Sequence, residues 1–180
     1  MESLAGHFLI ASPTLMDPNF FHSVVLIVQH DENGAMGVIL NRPLTTTVEE
    51  VCQQVLEHDC HLEGFLHMGG PVTGPLMAVH TADEAAQTEV LKDVHFTTEK
   101  DRLERLMVMD EVTARFFVNY SGWTAGQLDA EIEEGSWLTL AATREQIFSS
   151  TDDLWTRLNK TATLGKWISP DRIPDDPTVN

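Results

Sequence analysis

Basic side chains are scarce in this chain: 11 lysines and arginines stand against 28 acidic residues, a formal charge of −17. Binding to nucleic acid draws on clustered Lys and Arg that displace counterions, so the balance argues against direct nucleic-acid binding. An acidic surface serves solubility or attracts a basic partner. Cysteine is nearly missing, with only Cys52 and Cys60. Two cysteines do not make a disulfide framework, and their number fits a reducing compartment. Cys52 falls in the periodic set Val48, Val51, Cys52, Val55, Leu56 and reads as a small core residue. No apolar run approaches the roughly 20 residues of a membrane span. No basic run precedes the short apolar segment at the N-terminus, so no signal peptide is read there. The expectation is a soluble, cytoplasmic protein without membrane contact.

Catalytic signatures are missing as well. There is no Gly-x-Gly-x-x-Gly after a strand, no phosphate loop with its lysine, no His-Glu-x-x-His and no Gly-x-Ser-x-Gly. No cofactor is expected. Ser121 sits near a strand end but lacks the flanking glycines of a nucleophile elbow. His58, Asp59, Cys60 and His61 lie close together and could ligate a transition metal, yet no second cluster stands at zinc-site spacing. A solvated loop is the expectation there, and no metal.

What is present suits one domain. The 180 residues are 42% hydrophobic and 22% charged, long enough for a substantial core. Residues 1–168 read as that domain, and residues 169–180, proline-bearing and acidic, as a disordered tail. The organising stretch is Tyr120-Ser121-Gly122-Trp123-Thr124-Ala125-Gly126-Gln127-Leu128. Arg115 to Asn119 before it read as a strand, and Ala125, Leu128 and Ile132 recur at helical spacing after it. Thr124 and Gln127 fit a capping box, Trp123 a staple on Leu128, and Gly135 a helix stop.

Elsewhere Phe8 to Ala11 read as a strand. Val24 to Val28 read as a strand buried on both faces, and Asp31-Glu32-Asn33-Gly34 as a tight turn into Ala35 to Leu40. Thr46 or Thr47, with Glu49 or Glu50, starts a helix over Val48 to Leu56. Phe65 to Met68 and Leu76 to His80 are short strands. Thr81 to Thr88 reads as an exposed connection and Val94-His95-Phe96 as an edge strand. Thr97 or Thr98 opens a helix with an Asp101–Arg105 pair. Trp137 to Leu140 is a strand, Thr143 and Gln146 form a second capping box, and Leu154, Trp155 and Leu158 mark the last helix. Hairpin and single strands mixed with helices give an α+β domain with a mixed sheet.

Three strand ends share small or polar residues beside a bulky neighbour: Asn41-Arg42-Pro43, His67-Met68-Gly69-Gly70-Pro71 and Tyr120-Ser121-Gly122-Trp123. If they meet, Arg42 supplies a cation, Gly69 and Gly70 bring backbone amides to a ligand, and Tyr120 and Trp123 offer stacking faces. Such a cleft would suit a small anion or nucleotide-like ligand. The competing reading is that the glycines and prolines only shape turns and that Arg42 pairs with a surface carboxylate. His22 and His30, if on one strand, would share a face.

These segments carry a resemblance. Gly6 to Pro13, Met16-Asp17-Pro18, Gly34 to Gly37, Asn41-Arg42-Pro43, Gly69-Gly70-Pro71-Val72, Tyr120 to Trp123 and Gly126-Gln127-Leu128 stand in the order and spacing of the YqgE/AlgH family of small bacterial proteins. The chain resembles that family from about residue 4 to residue 165, departing at Asn119, Ser121 and Asp129, where glycine, a small residue and glutamate are expected. The resemblance implies one α+β domain with a bulged mixed sheet. One branch bears the label of transcriptional regulator of alginate synthesis, and the family carries no established catalytic residues. The expected function is a non-catalytic binding or regulatory module for a small anion or a protein partner. Its site would comprise Asn41, Arg42, His67, Gly69, Gly70, Tyr120, Ser121 and Trp123. The alternatives are an enzyme using His67 or His30 as proton carrier and a DNA-binding regulator.

Overall fold

The computed structural model describes residues 2–56, 60 and 62–167, in which ten strands alternate with five α-helices. In chain order they are β1 (His7–Ala11), β2 (Val24–Asp31), β3 (Gly34–Ile39), β4 (Pro43–Thr47), α1 (Val48–Val55), β5 (Phe65–Met68), β6 (Val72–His80), β7 (Thr88–Leu91), β8 (Val94–Thr97), α2 (Lys100–Met107), β9 (Ala114–Thr124), α3 (Gln127–Glu133), β10 (Trp137–Ala141), α4 (Arg144–Ile147) and α5 (Leu154–Trp167). They form one mixed sheet in the order β10-β1-β2-β3-β9-β6-β8-β7, with β4 paired to β5 and β5 lying parallel to β9. The molecule is α+β, as the mixture of hairpin and single strands implies. The tail at 169–180 lies outside the described residues.

The central strands are apolar on both faces because both are covered. Phe8, Ile10, Leu26 and Val28 turn to one side, where Ile147 of α4 and Leu154 and Leu158 of α5 pack. Leu9, Val25 and Ile27 turn to the other, against Trp123, Leu128 of α3 and Trp137. A third cluster holds α1 and α2 on the far half of the sheet through Cys52, Leu103, Leu106 and Phe116. The sheet curls, so that Val90 of β7 joins the cluster of Phe8 and Leu26.

Several local expectations hold. Thr47 with Glu50 and Thr143 with Gln146 form complete capping boxes. Gly135, at φ 80°, follows the end of α3 in the left-handed conformation. The β2–β3 hairpin forms, but Asp31 pairs with Gly34 and the turn is Glu32-Asn33. Asp31 Oδ1 accepts from the Asn33 amide at 2.7 Å, an Asx turn. Gly34 is required by a different neighbour: a Cβ there would stand 2.1 Å from the Trp123 carbonyl oxygen.

Other expectations are corrected. The organising stretch is not a strand, turn and helix, because β9 runs unbroken through Tyr120-Ser121-Gly122-Trp123 to Thr124, and Gly126 (φ 73°) is the N-cap of α3. The Gln127 side chain does reach back to the Thr124 amide, at 3.0 Å. The edge strand is β7, which the connection-like residues concealed, and β8 lies inside it between β6 and β7. Helix α2 is capped at Glu99 without a side chain of its own. Gln87, remote in sequence, instead accepts from the amides of Thr98 and Glu99. Arg105 donates to the Glu84 carbonyl, and the helix's ion pairs among the described residues are Lys100–Glu104 and Arg102–Glu99 rather than Asp101–Arg105. His22 and His30 do not form a row. His22 precedes β2 with φ 53° and its ring stacks between those of Phe21 and Trp155, while His30 Nδ1 accepts from the Leu4 amide. Cys52 is fully buried as expected, yet it is disulfide-bonded to Cys60. The cysteine count therefore lends no support to a reducing compartment. His58, Asp59 and His61 lie outside the described residues, among which no cluster of three metal-ligating side chains occurs.

Candidate functional site

The three strand ends do converge, where β3 passes into β4, β5 into β6, and β9 crosses both. Asn41 is the joint behind them. Its Nδ2 donates to the His22 carbonyl and its Oδ1 accepts from the Val24 amide, each at 2.9 Å, which ties the loop before β2 to the end of β3. Gly69 and Gly70 are present because backbone crosses backbone. A Cβ on Gly69 would lie 2.3 Å from the Asn119 carbonyl oxygen, and one on Gly70 2.2 Å from the Tyr120 carbonyl carbon. Ser121 is fully buried and donates to the Gly69 carbonyl at 3.0 Å. The Tyr120 ring covers the spaces that side chains at Gly74 and Gly122 would fill.

Arg42 and Gly70 share a cleft of about 320 Å³ with Asn119, Asn19, Met68 and Pro71. Arg42 is half-buried, donates to the Phe21 carbonyl, and has no carboxylate within ion-pair distance among the described residues. Burial lowers its pKa, without threatening its charge near neutrality. Asn119, at φ 61°, is a bend inside β9, and its Oδ1 accepts from the Gly74 amide at 3.2 Å. It occupies a position where glycine was expected, and asparagine tolerates the left-handed region better than most residues.

The remaining expected residues lie elsewhere. Trp123 is in the core, packed edge-on against Trp137 and stacked with Phe20. Its Nε1 donates to Glu131 Oε2 at 2.9 Å, and Trp137 Nε1 donates to the same oxygen at 2.8 Å. So Trp123 offers no stacking face beside Arg42. His67 lines a second cleft of about 430 Å³, whose cation is Arg115. Burial and the Arg115 charge push His67 down to about 4, while the backbone of Phe65 and Phe116 pulls the other way. The ring is neutral at pH 7. Burial likewise brings Arg115 down to about 10.

Arg115 and Asn119 escaped the sequence reading. The signal for Arg115 was a lone charge inside the apolar strand Arg115-Phe116-Phe117-Val118, a position where burial demands partners.

Comparison with known proteins follows this geometry. The family model described as AlgH-like matches residues 8–165. The chain belongs to the AlgH-like family. Among its relatives, a UPF0301 protein of Chlorobium limicola is 40% identical over 84% of this chain and 83% of its own length. A UPF0301 protein of Shewanella frigidimarina is 36% identical over 86% and 89%. The solution structure of the AlgH protein from Pseudomonas aeruginosa aligns with a TM-score of 0.70 at 31% identity, covering 93% of this chain and 94% of that one. A crystal structure of a Corynebacterium diphtheriae protein aligns at 0.72 and 24% identity, covering 89% and 88%, and shares the fold. The AlgH-like chain thus carries the family's mixed sheet, with Arg42 and Gly70 at one crossing of strands and His67 at a neighbouring one.

Proposed function

We propose that this AlgH-like chain is a non-catalytic binding module of the cytoplasm whose Arg42 cleft takes a small anion, and through it a regulatory role. The observation that carries the reading is an arginine without a carboxylate partner among the described residues, held by the Phe21 carbonyl beside the side-chain amides of Asn119 and Asn19. A guanidinium has five N–H donors in a planar fork suited to carboxylate or phosphate. A Cβ on Gly70 would clash with the Tyr120 backbone, so no side chain from this position enters the cleft. The charge of −17 weighs against DNA as the anion.

The test is thermal unfolding with inorganic phosphate, citrate and a nucleoside monophosphate. A ligand at 100 times its dissociation constant adds about 2.7 kcal/mol of stability and raises the midpoint visibly. The rise is expected to vanish in Arg42→Ala. No rise with any of the three, or a rise that persists in Arg42→Ala, would remove the reading.

A further inference from the structure

The second cleft has a different character. Its interior holds Arg115 and His67, the latter only 8% exposed and with an Nδ1 that has no hydrogen-bond partner among the described residues. Arg115 reaches it from β9 with two donors engaged, by the carbonyls of Leu40 and Ser149. No carboxylate among the described residues pairs with it. A largely buried cation next to a neutral imidazole calls for an anion of some kind.

The rim says which kind. Glu63 and Asp152, both exposed, line the same cleft, and Pro43, Val48 and Phe65 give it apolar walls. A dianion such as phosphate would meet these two carboxylates, which the Arg42 cleft lacks, and be repelled by them. A ligand with a carboxylate at one end and an ammonium at the other avoids that repulsion. It is neutral overall, presents its anionic end to Arg115 and its cationic end to the rim. A volume of about 430 Å³ accommodates such a molecule together with an aliphatic side chain against the apolar walls.

We infer that the cleft between Arg115 and Asp152 is a binding site for a free α-amino acid with an apolar side chain: the guanidinium takes the carboxylate, and Asp152 and Glu63 take the ammonium. The site is separate from the Arg42 cleft and stands or falls without it.

L-Leucine, leucinamide and 4-methylpentanoate separate the contributions, titrated into the isotopically labelled full chain and followed at the backbone amides of Phe65, Thr151 and Asp152. Leucine is expected to shift these amides saturably. Leucinamide, lacking the carboxylate, and 4-methylpentanoate, lacking the ammonium, are each expected to bind at least about tenfold weaker, the factor that 1.4 kcal/mol represents. Asp152→Asn, at an exposed position that leaves the core untouched, should weaken leucine and should not weaken 4-methylpentanoate. Arg115→Lys keeps a cation but loses the planar fork, and should weaken both acids; because Arg115 also holds two carbonyls, its amide spectrum must first match that of the folded wild type. Binding by leucine in Arg42→Ala should be intact. Absence of any saturable shift with leucine, or 4-methylpentanoate binding as tightly as leucine, would overturn the assignment.

Discussion

At the residue scale the least expected player is Glu131. It stands among acidic neighbours in α3, yet one carboxylate oxygen receives both indole N–H groups, of Trp123 and Trp137, and the other accepts from Gln127 at 3.0 Å. A buried indole N–H needs an acceptor, and hydrogen bonds to a charged group are about twice as strong as neutral ones. Glu131→Ala leaves two donors without a partner, and is expected to cost about 2–4 kcal/mol in urea unfolding. Glu131→Gln retains an acceptor oxygen and should cost about half as much. Equal stability of the alanine variant and wild type would show that water replaces the carboxylate at no loss. Periodicity places Glu131 on a face of α3 but says nothing of two tryptophans brought there by other strands.

At the element scale β9 was the hardest piece to read. Serine and glycine in Tyr120-Ser121-Gly122 have the composition of a turn, and in isolation they favour one. Pairing overrides that preference: β9 runs beside β6 as far as Tyr120 and beside β3 from Ser121 onward, with Gly37 opposite Ser121 and Met36 opposite Gly122. Small residues are there to admit close backbone neighbours, information that resides in strands distant in sequence. The hairpin and both capping boxes were legible because each is complete within a few residues. Of the expected site, the shared character of the three strand ends was legible, but their meeting depends on contacts between segments distant in sequence, such as Ser121 with the Gly69 carbonyl. The link from Cys52 in α1 to Cys60 was not legible from two cysteines. By loop-closure entropy it should contribute about 2–3 kcal/mol. Adding dithiothreitol is expected to lower the unfolding free energy by that amount in the wild type and not at all in Cys60→Ser. Identical unfolding with and without reductant in the wild type would show that the link adds nothing.

At the scale of the whole molecule, pH acts through two buried histidines. His80 is held down to about 4 by burial first and by His95 second, and its Nδ1 accepts from the Ala82 amide. His67 stands at the same value. Because both lie below the ordinary 6.5, the unfolded chain binds protons that the folded one refuses, so stability is full above pH 6.5 and falls as pH drops toward 4. Each ring should account for about 1–3 kcal/mol between pH 7 and pH 4.5. Protonation of carboxylates relieves the repulsion of a −17 chain over the same range and runs opposite. The comparison that isolates the ring is His80→Asn, whose Oδ1 can replace Nδ1 as acceptor. Wild type should lose about 1–3 kcal/mol more than this variant on acidification, measured by urea unfolding at both pH values. Equal losses would acquit His80.

The sheet joins the two ends of its own sequence, since His7 to Ala11 of β1 pair with Ala141 to Trp137 of β10. On a ribosome delivering about 5–20 residues per second, β1 waits on the order of ten seconds for that partner. Meanwhile its other neighbour, β2, is ready early through the register of Phe8 with Leu26. The nascent chain therefore carries Phe8-Leu9-Ile10 as a bare apolar edge for most of its synthesis, the kind of edge that recruits other strands.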